Sequence, residues 1–253
     1  MGFGAGIAMR KAIIALMLLG VVVAGCGHPS LNIPSAASHT PLAVKQTAEP
    51  IALPESKSFP LNYLTSVAAQ YLEPIAPIER SQQLKRQAFE ESIIFTYKKN
   101  EDAEGIYAAI ERKDGTYDLG QIGYDGASDY SAKAVDVLGR SYLKITGLLG
   151  ANAPVSIYVW LDSVSPNVLH IEAHTLEADI DQDQILEIVA TVGTVAETFI
   201  YKLEKDSLVS VNLNEAMNTE IVFYDHESNT FKAELPKGEI TQWKIENNTL
   251  VPY

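Results

Sequence analysis

From Ile93 onward the chain breaks into short β-rich runs separated by turn residues, and these runs recur at a near-constant interval. The segment AVDVLGRSYLKITGLLGANAPVSIYVWL (134–161) lies over EADIDQDQILEIVATVGTVAETFIYKLE (177–204) at an offset of 43. Asp136 then meets Asp179, Leu143 meets Leu186, Ile145 meets Ile188, and Ile157-Tyr158 meets Ile200-Tyr201. Further on, YKLEKDSLV (201–209) matches WKIENNTLV (243–251) at an offset of 42, and IYAAIERKDGTY (106–117) echoes the same hairpin. A period near 42 suits a four-stranded antiparallel unit that buries its faces against its neighbours. Residues 93–253 hold about four such units. Lys113-Asp114-Gly115 marks one of the hairpin turns. The expected fold is therefore all-β, with an antiparallel repeat body that is propeller-like; a β-sandwich or a twisted β-meander is the alternative.

Ahead of this body the character changes twice. Arg10 and Lys11 precede AIIALMLLGVVVAG, an uncharged apolar run that ends at Cys26. A basic n-region, a short apolar h-region and small residues before the cut describe a secretory signal peptide at 1–25. The run falls short of the roughly 20 apolar residues needed to cross a bilayer. Met9 serves as a start as well as Met1 does. Val23-Ala24-Gly25-Cys26 resembles the bacterial lipobox, and that resemblance implies a diacylglycerol on the Cys26 thiol, cleavage before it, and acylation of the new N-terminus. Two or three acyl chains hold a protein stably to a membrane where one does not. The implied location is the extracytoplasmic face of a cell membrane. Cys26 is the chain's one cysteine, so disulfides within the chain and cysteine-based metal clusters are excluded.

Residues 26–60 read as a flexible tether, because half of the twelve prolines fall there among Ser, Ala and Thr with little apolar periodicity. Fully extended at about 3.1 Å per residue, it reaches about 100 Å. In 61–92 the apolar positions Leu61, Leu64, Ala68 and Tyr71/Leu72 share one helical face, with a second stretch SQQLKRQAFEES, and a short helical lead is expected.

The formal net charge is −13, and beyond Cys26 there are 17 basic against 32 acidic residues. Such a surface repels nucleic acid and anionic lipid and favours cations or basic partners; it also keeps a secreted protein soluble.

The acid is concentrated at ADIDQDQILEIVATVGT (178–194), where three alternating aspartates precede a glutamate and a strand-like run. DIDQDQILEIVATVGT resembles the FG-GAP/VCBS repeat of integrin-type propellers, in which an Asp-x-Asp-x-Asp-Gly loop between two strands of a blade binds calcium. Asp179, Asp181 and Asp183 are then expected to give one carboxylate oxygen each, Ile185 its carbonyl, and Glu187 to close the shell, since calcium takes six to eight oxygens. Gln184 stands where the family has glycine, at a cost of about 1 kcal/mol for a left-handed backbone. The upstream copy, with Leu138 and Arg140, lacks the carboxylates. The other reading of 179–187 is a solvated acidic turn.

His170-x-Glu172-x-His174 places three ligand-type residues on one face if the run is a single strand; a half-buried strand with a wet face explains it equally. Ser141-x-x-Lys144 matches a serine–lysine motif in letters only, because a strand turns the two residues to opposite faces. Gly126-Ala127-Ser128-Asp129 lacks the second glycine of a nucleophile elbow. The expectation is a membrane-anchored module that binds an envelope protein or cell-wall ligand, or is structural, without catalysis. The alternative is an envelope hydrolase using acids such as Asp125, Asp129 or Asp179, and two converging carboxylates of raised pKa in a pocket would favour it.

Overall fold

The computed structural model describes residues 57–253, apart from 67, 73, 76–79, 90, 126–129, 151–152, 163–166 and 236–237. Cys26, the signal segment and most of the tether lie outside the described residues, as does Asp129. The described residues all fall in one compact unit.

Among the described residues of the lead, no helix forms. Three short strands come first: β1 (Phe59–Pro60), β2 (Leu64–Thr65) and β3 (Ala69–Tyr71). The SQQLKRQAF stretch is itself a strand, β4 (Arg80–Phe89). Its Gln, Lys, Arg and Leu are good helix formers, but a ten-residue helix on its own is marginal in water. Pairing with a ready-made neighbouring strand overrides propensity.

β4 opens the first of four antiparallel meanders, with β5 (Ser92–Lys99), β6 (Asp102–Arg112) and β7 (Gly115–Tyr124). The second holds β8 (Ser131–Val137), β9 (Arg140–Leu148), β10 (Pro154–Trp160) and β11 (Asn167–Ile171). The third holds β12 (His174–Ala178), β13 (Glu187–Val192), β14 (Glu197–Glu204) and β15 (Ser207–Asn212). A one-turn helix, α1 (Leu213–Met217), capped by the Asn212 side chain, leads to the fourth, β16 (Val222–Asp225), β17 (Thr230–Leu235), β18 (Glu239–Glu246) and β19 (Thr249–Pro252). The all-β antiparallel class is as expected. The first meander begins at Arg80, earlier than the sequence pattern placed it.

Successive sheets share apolar cores. Ile106, Ala108 and Ile110 meet Leu143, Ile145 and Ile157 between the first and second. Tyr158, Ile171, Ile188 and Ala190 meet between the second and third. Val189, Ile200, Phe231, Trp243 and Ile245 meet between the third and fourth. The middle sheets are buried on both faces, so strands such as β10 (PVSIYVW) read as continuous apolar runs without alternation. Gly147 marks the tightest approach, since a Cβ there would lie 1.9 Å from the backbone oxygen of Ile122. Among the described residues, no apolar cluster joins the first sheet to the fourth.

The lead is a strap that crosses the sheets in reverse order, always beside the last strand of each meander. β1 pairs with β19, β2 with β15, β3 with β11, and Pro74 bridges Tyr117 of β7. Leu61, Ser66 and Ile75 donate their N–H groups to Asn248, Leu208 and Thr116, while Ala68 accepts from the His170 N–H. Four edges that would otherwise present bare backbone groups are partly covered in this way. Its footholds recur about every five residues, one for each sheet in turn.

Candidate functional site

The acidic run forms the connection between β12 and β13. Gln182 and Gln184 take left-handed backbones (φ 65° and 73°), which folds the loop back on itself. Gln184 thus adopts the conformation that the glycine of the resembling family would supply. The Gln184 N–H donates to Asp179 Oδ2 at 3.1 Å, and the Ile185 N–H to Asp183 Oδ1 at 2.7 Å. Neighbouring sheets pin the loop from both sides: Asn229 Nδ2 donates to the Asp179 carbonyl at 3.0 Å, and the Leu138 N–H to that of Leu186 at 2.7 Å.

Of the five expected ligands, the carboxylates of Asp179, Asp181 and Glu187 come together, with oxygens all within 4.8 Å of one another. Asp183 is exposed and turns toward its own loop backbone, and Ile185 sits exposed at the tip. Glu187 is 3% exposed, and its Oε2 accepts a 3.3 Å hydrogen bond from the Ile180 N–H. Burial pushes its carboxyl up to about 7, and the charges of Asp181, Asp183 and Asp179 add to this against the Ile180 N–H. Burial and the Asp183 charge push Asp181 up as well. Asp179 Oδ1 and Asp181 Oδ1 are buried with no hydrogen-bond partner. Two unit charges at this separation repel by about 3 kcal/mol at an effective dielectric of about 20. The cluster therefore has a deficit of positive charge that a proton or a hard cation would relieve.

The geometry suits an ion better than acid/base chemistry on a substrate. Paired hydrolytic carboxylates stand about 5 Å or more apart around a bond that must fit between them, and here two oxygens already lack solvent access. Asp125 is held in an ion pair with Lys98.

The His170–Glu172–His174 run does not lie on one strand. His170 is in β11 of the second sheet and His174 in β12 of the third, and the chain changes sheet between them. The expected common face is lost. Ser141 donates to Asp136 Oδ1 at 2.6 Å while Lys144 points the other way, as strand alternation requires.

Lys144 belongs to a buried polar cluster that the motif search did not find. Its Nζ donates to Glu177 Oε1 at 2.6 Å and to the Thr175 carbonyl at 3.1 Å. The Tyr158 hydroxyl donates to the same Glu177 oxygen at 2.6 Å, and the Thr175 hydroxyl to Ser156 Oγ at 2.7 Å. Burial raises the Glu177 carboxyl, but Lys144 and Tyr158 outweigh it and hold the group below the usual range. The cluster ties the second sheet to the third. A lone lysine inside the apolar run YLKIT is the one mark it leaves on the sequence.

No family model, curated protein or solved structure matches the chain.

Proposed function

We propose that the chain is a non-catalytic binding or structural module of the cell envelope, held at the extracytoplasmic face of the membrane by lipid on Cys26 and braced by calcium. The observation that carries the calcium reading is the pair of buried, unpartnered oxygens on Asp179 and Asp181 beside the buried Glu187. Oxygen-only donors of this charge suit a hard divalent cation. Asp179, Asp181 and Glu187 would hold it, with water and loop carbonyls able to complete the shell. Bound there, calcium neutralises the cluster and fixes the loop between the second and fourth sheets, in keeping with its resemblance to an FG-GAP/VCBS blade. The anchor rests on the lipobox-like Val23–Cys26.

Calorimetric titration tests the metal: calcium is expected to bind the wild type and not Asp181→Ala. Absence of calcium heat at millimolar metal, with melting unchanged by Asp181→Ala, sinks the bracing. Cys26→Ser is expected to release the protein from membranes, and unchanged membrane association sinks the anchor.

A further inference from the structure

Beneath the strap, beside the second and third sheets, lies an open cleft of about 1220 Å³. Its floor is the outer part of β14, where Phe199 and Tyr201 lie side by side, ring centroids 6.5 Å apart and planes tilted by 31°. Glu172 comes from the turn after β11, Glu197 from the start of β14 and Glu215 from α1, and all three are exposed. Among the described lining residues there is no lysine or arginine. The nearest thing to a cation is His170, whose Nε2 is buried without a hydrogen-bond partner, 3.8 Å from Glu172. Elsewhere on the molecule several carboxylates have a lysine partner: Asp118 pairs with Lys99, Asp225 with Lys232, and Glu177 with Lys144. In the cleft, Glu197 has an amide partner instead, accepting from Asn212 Nδ2 at 2.7 Å.

We infer that this cleft is a docking site for an extended, lysine- or arginine-bearing peptide segment of a partner protein. The inference rests on the binding-module reading and supplies its partner chemistry. Charge complementarity sets the sign: Glu197 and Glu215, with no lysine or arginine partner among the described residues, and Glu172, which faces only His170, on a chain of net charge −13, attract basic groups and repel phosphate. The aromatic floor suits the same groups, since ammonium and guanidinium ions are drawn to ring faces. Size argues for a chain segment, because the volume exceeds the roughly 300–1,000 Å³ of a small-molecule pocket. The cleft also runs beside β2, the two-residue, exposed outer edge of the third sheet, to which an extended peptide can add backbone hydrogen bonds.

The test is fluorescence anisotropy on the full chain in neutral detergent, with a labelled octapeptide of alternating lysine and alanine as probe. The glutamate–alanine counterpart and spermidine serve as comparisons. The basic peptide is expected to bind, the acidic one not, and spermidine to compete poorly because it has no backbone to pair. Combining Glu172→Gln, Glu197→Gln and Glu215→Gln is expected to weaken binding by about 30-fold, and Phe199→Ala by about 3-fold. Because these glutamates are exposed, an unchanged melting temperature is the expected control. Equal binding of both peptides, competition by spermidine as strong as by unlabelled peptide, or a triple variant that binds like wild type each overturns the inference. Measuring in calcium and in chelator separates the two proposals. Peptide binding that survives Asp181→Ala while calcium heat is lost leaves this site standing; calcium binding with no peptide binding removes this site alone.

Discussion

Replacing Lys144 by methionine keeps the length of the side chain and strands Glu177 between two sheets. The Lys144 side chain is 5% exposed and that of Glu177 14%, so solvent screens the pair little. Removing one member of such a pair costs about 3–5 kcal/mol, because the other is left buried and charged. Two observations favour the lower end. Glu177 keeps the Tyr158 hydroxyl, and Lys133, 60% exposed and already 4.0 Å from Glu177 Oε2, can swing closer. A loss of about 3 kcal/mol corresponds to a fall of roughly 6–12 °C in melting temperature for a domain of this size. Removing both charges together, with Lys144→Met and Glu177→Leu, should cost far less than the sum, because the Tyr158 hydroxyl can then turn its proton to Thr175 Oγ1, 2.9 Å away. Urea unfolding of the four proteins closes the cycle, with an expected coupling of about 2–3 kcal/mol. The pH dependence has a definite sign. Glu177 is held below the usual carboxylate range, so its contribution is complete above about pH 4.5 and fades as pH falls through the folded-state value. The gap between wild type and Lys144→Met should narrow over that same acid window. Additive single effects, or a Lys144→Met protein within about 0.5 kcal/mol of wild type, would refute the view that this pair clamps the two sheets.

Glu187 has the opposite pH dependence. Its carboxyl is raised to about 7, so in chelator its stability contribution falls as pH climbs from about 4.5 through 7, by about 3 kcal/mol in all. Glu187→Gln should therefore melt higher than wild type at pH 8 without calcium and alike near pH 4.5; equal melting at pH 8 contradicts the assignment. Phe59 is buried edge-on against Trp243, with ring centroids 5.2 Å apart, and Phe59→Ala should cost about 3–4 kcal/mol and expose the strap to limited proteolysis first. A strap as protease-resistant as wild type's would show that β1 is not its main foothold. Gly147→Ala forces a methyl group against the Ile122 carbonyl and should cost about 1–3 kcal/mol by urea unfolding, with a neutral result ruling out so close an approach of the first two sheets.

The meanders were legible because hairpin turns and β-branched runs are local signals. Strand facing was legible only in part. The offset of 42 is faithful: Leu208 and Leu250 each face the preceding sheet, as do Tyr201 and Trp243. The offset of 43 holds on β9 and β13, where Ile145 and Ile188 both face the preceding sheet. On β10 and β14 it slips by one. Ile157 faces the first sheet and Ile200 the fourth, while Tyr158 and Tyr201 enter the same core from opposite sides. The β9–β10 ladder closes at Leu148↔Pro154 and the β13–β14 ladder at Val192↔Glu197, so the connections differ in length. A one-residue difference turns every side chain over, and both faces being apolar hid it. At the acidic loop, three of the five ligands expected from spacing converge. The partners that hold the loop, Asn229 and Leu138, lie about 50 residues away in opposite directions and leave no local trace.

The strap was misread for a reason that also explains its role. Leu61, Leu64, Ala68 and Leu72 have helical spacing, yet Leu64 is 72% exposed and Leu61 is 6% exposed. What the segment gains as a strand is long-range backbone pairing to four separate edges, which no local pattern encodes. Each foothold is two or three residues at most, too few to persist alone. Their sum depends on all four sheets being in place. Its firmest part is its N-terminal end, where Phe59 and Leu61 enter the core between the third and fourth sheets. In its middle Leu64, Thr65 and Gln70 are exposed and line the acidic cleft. A pull on the chain from before Phe59 would thus be met first by the buried end, ahead of the cleft edge.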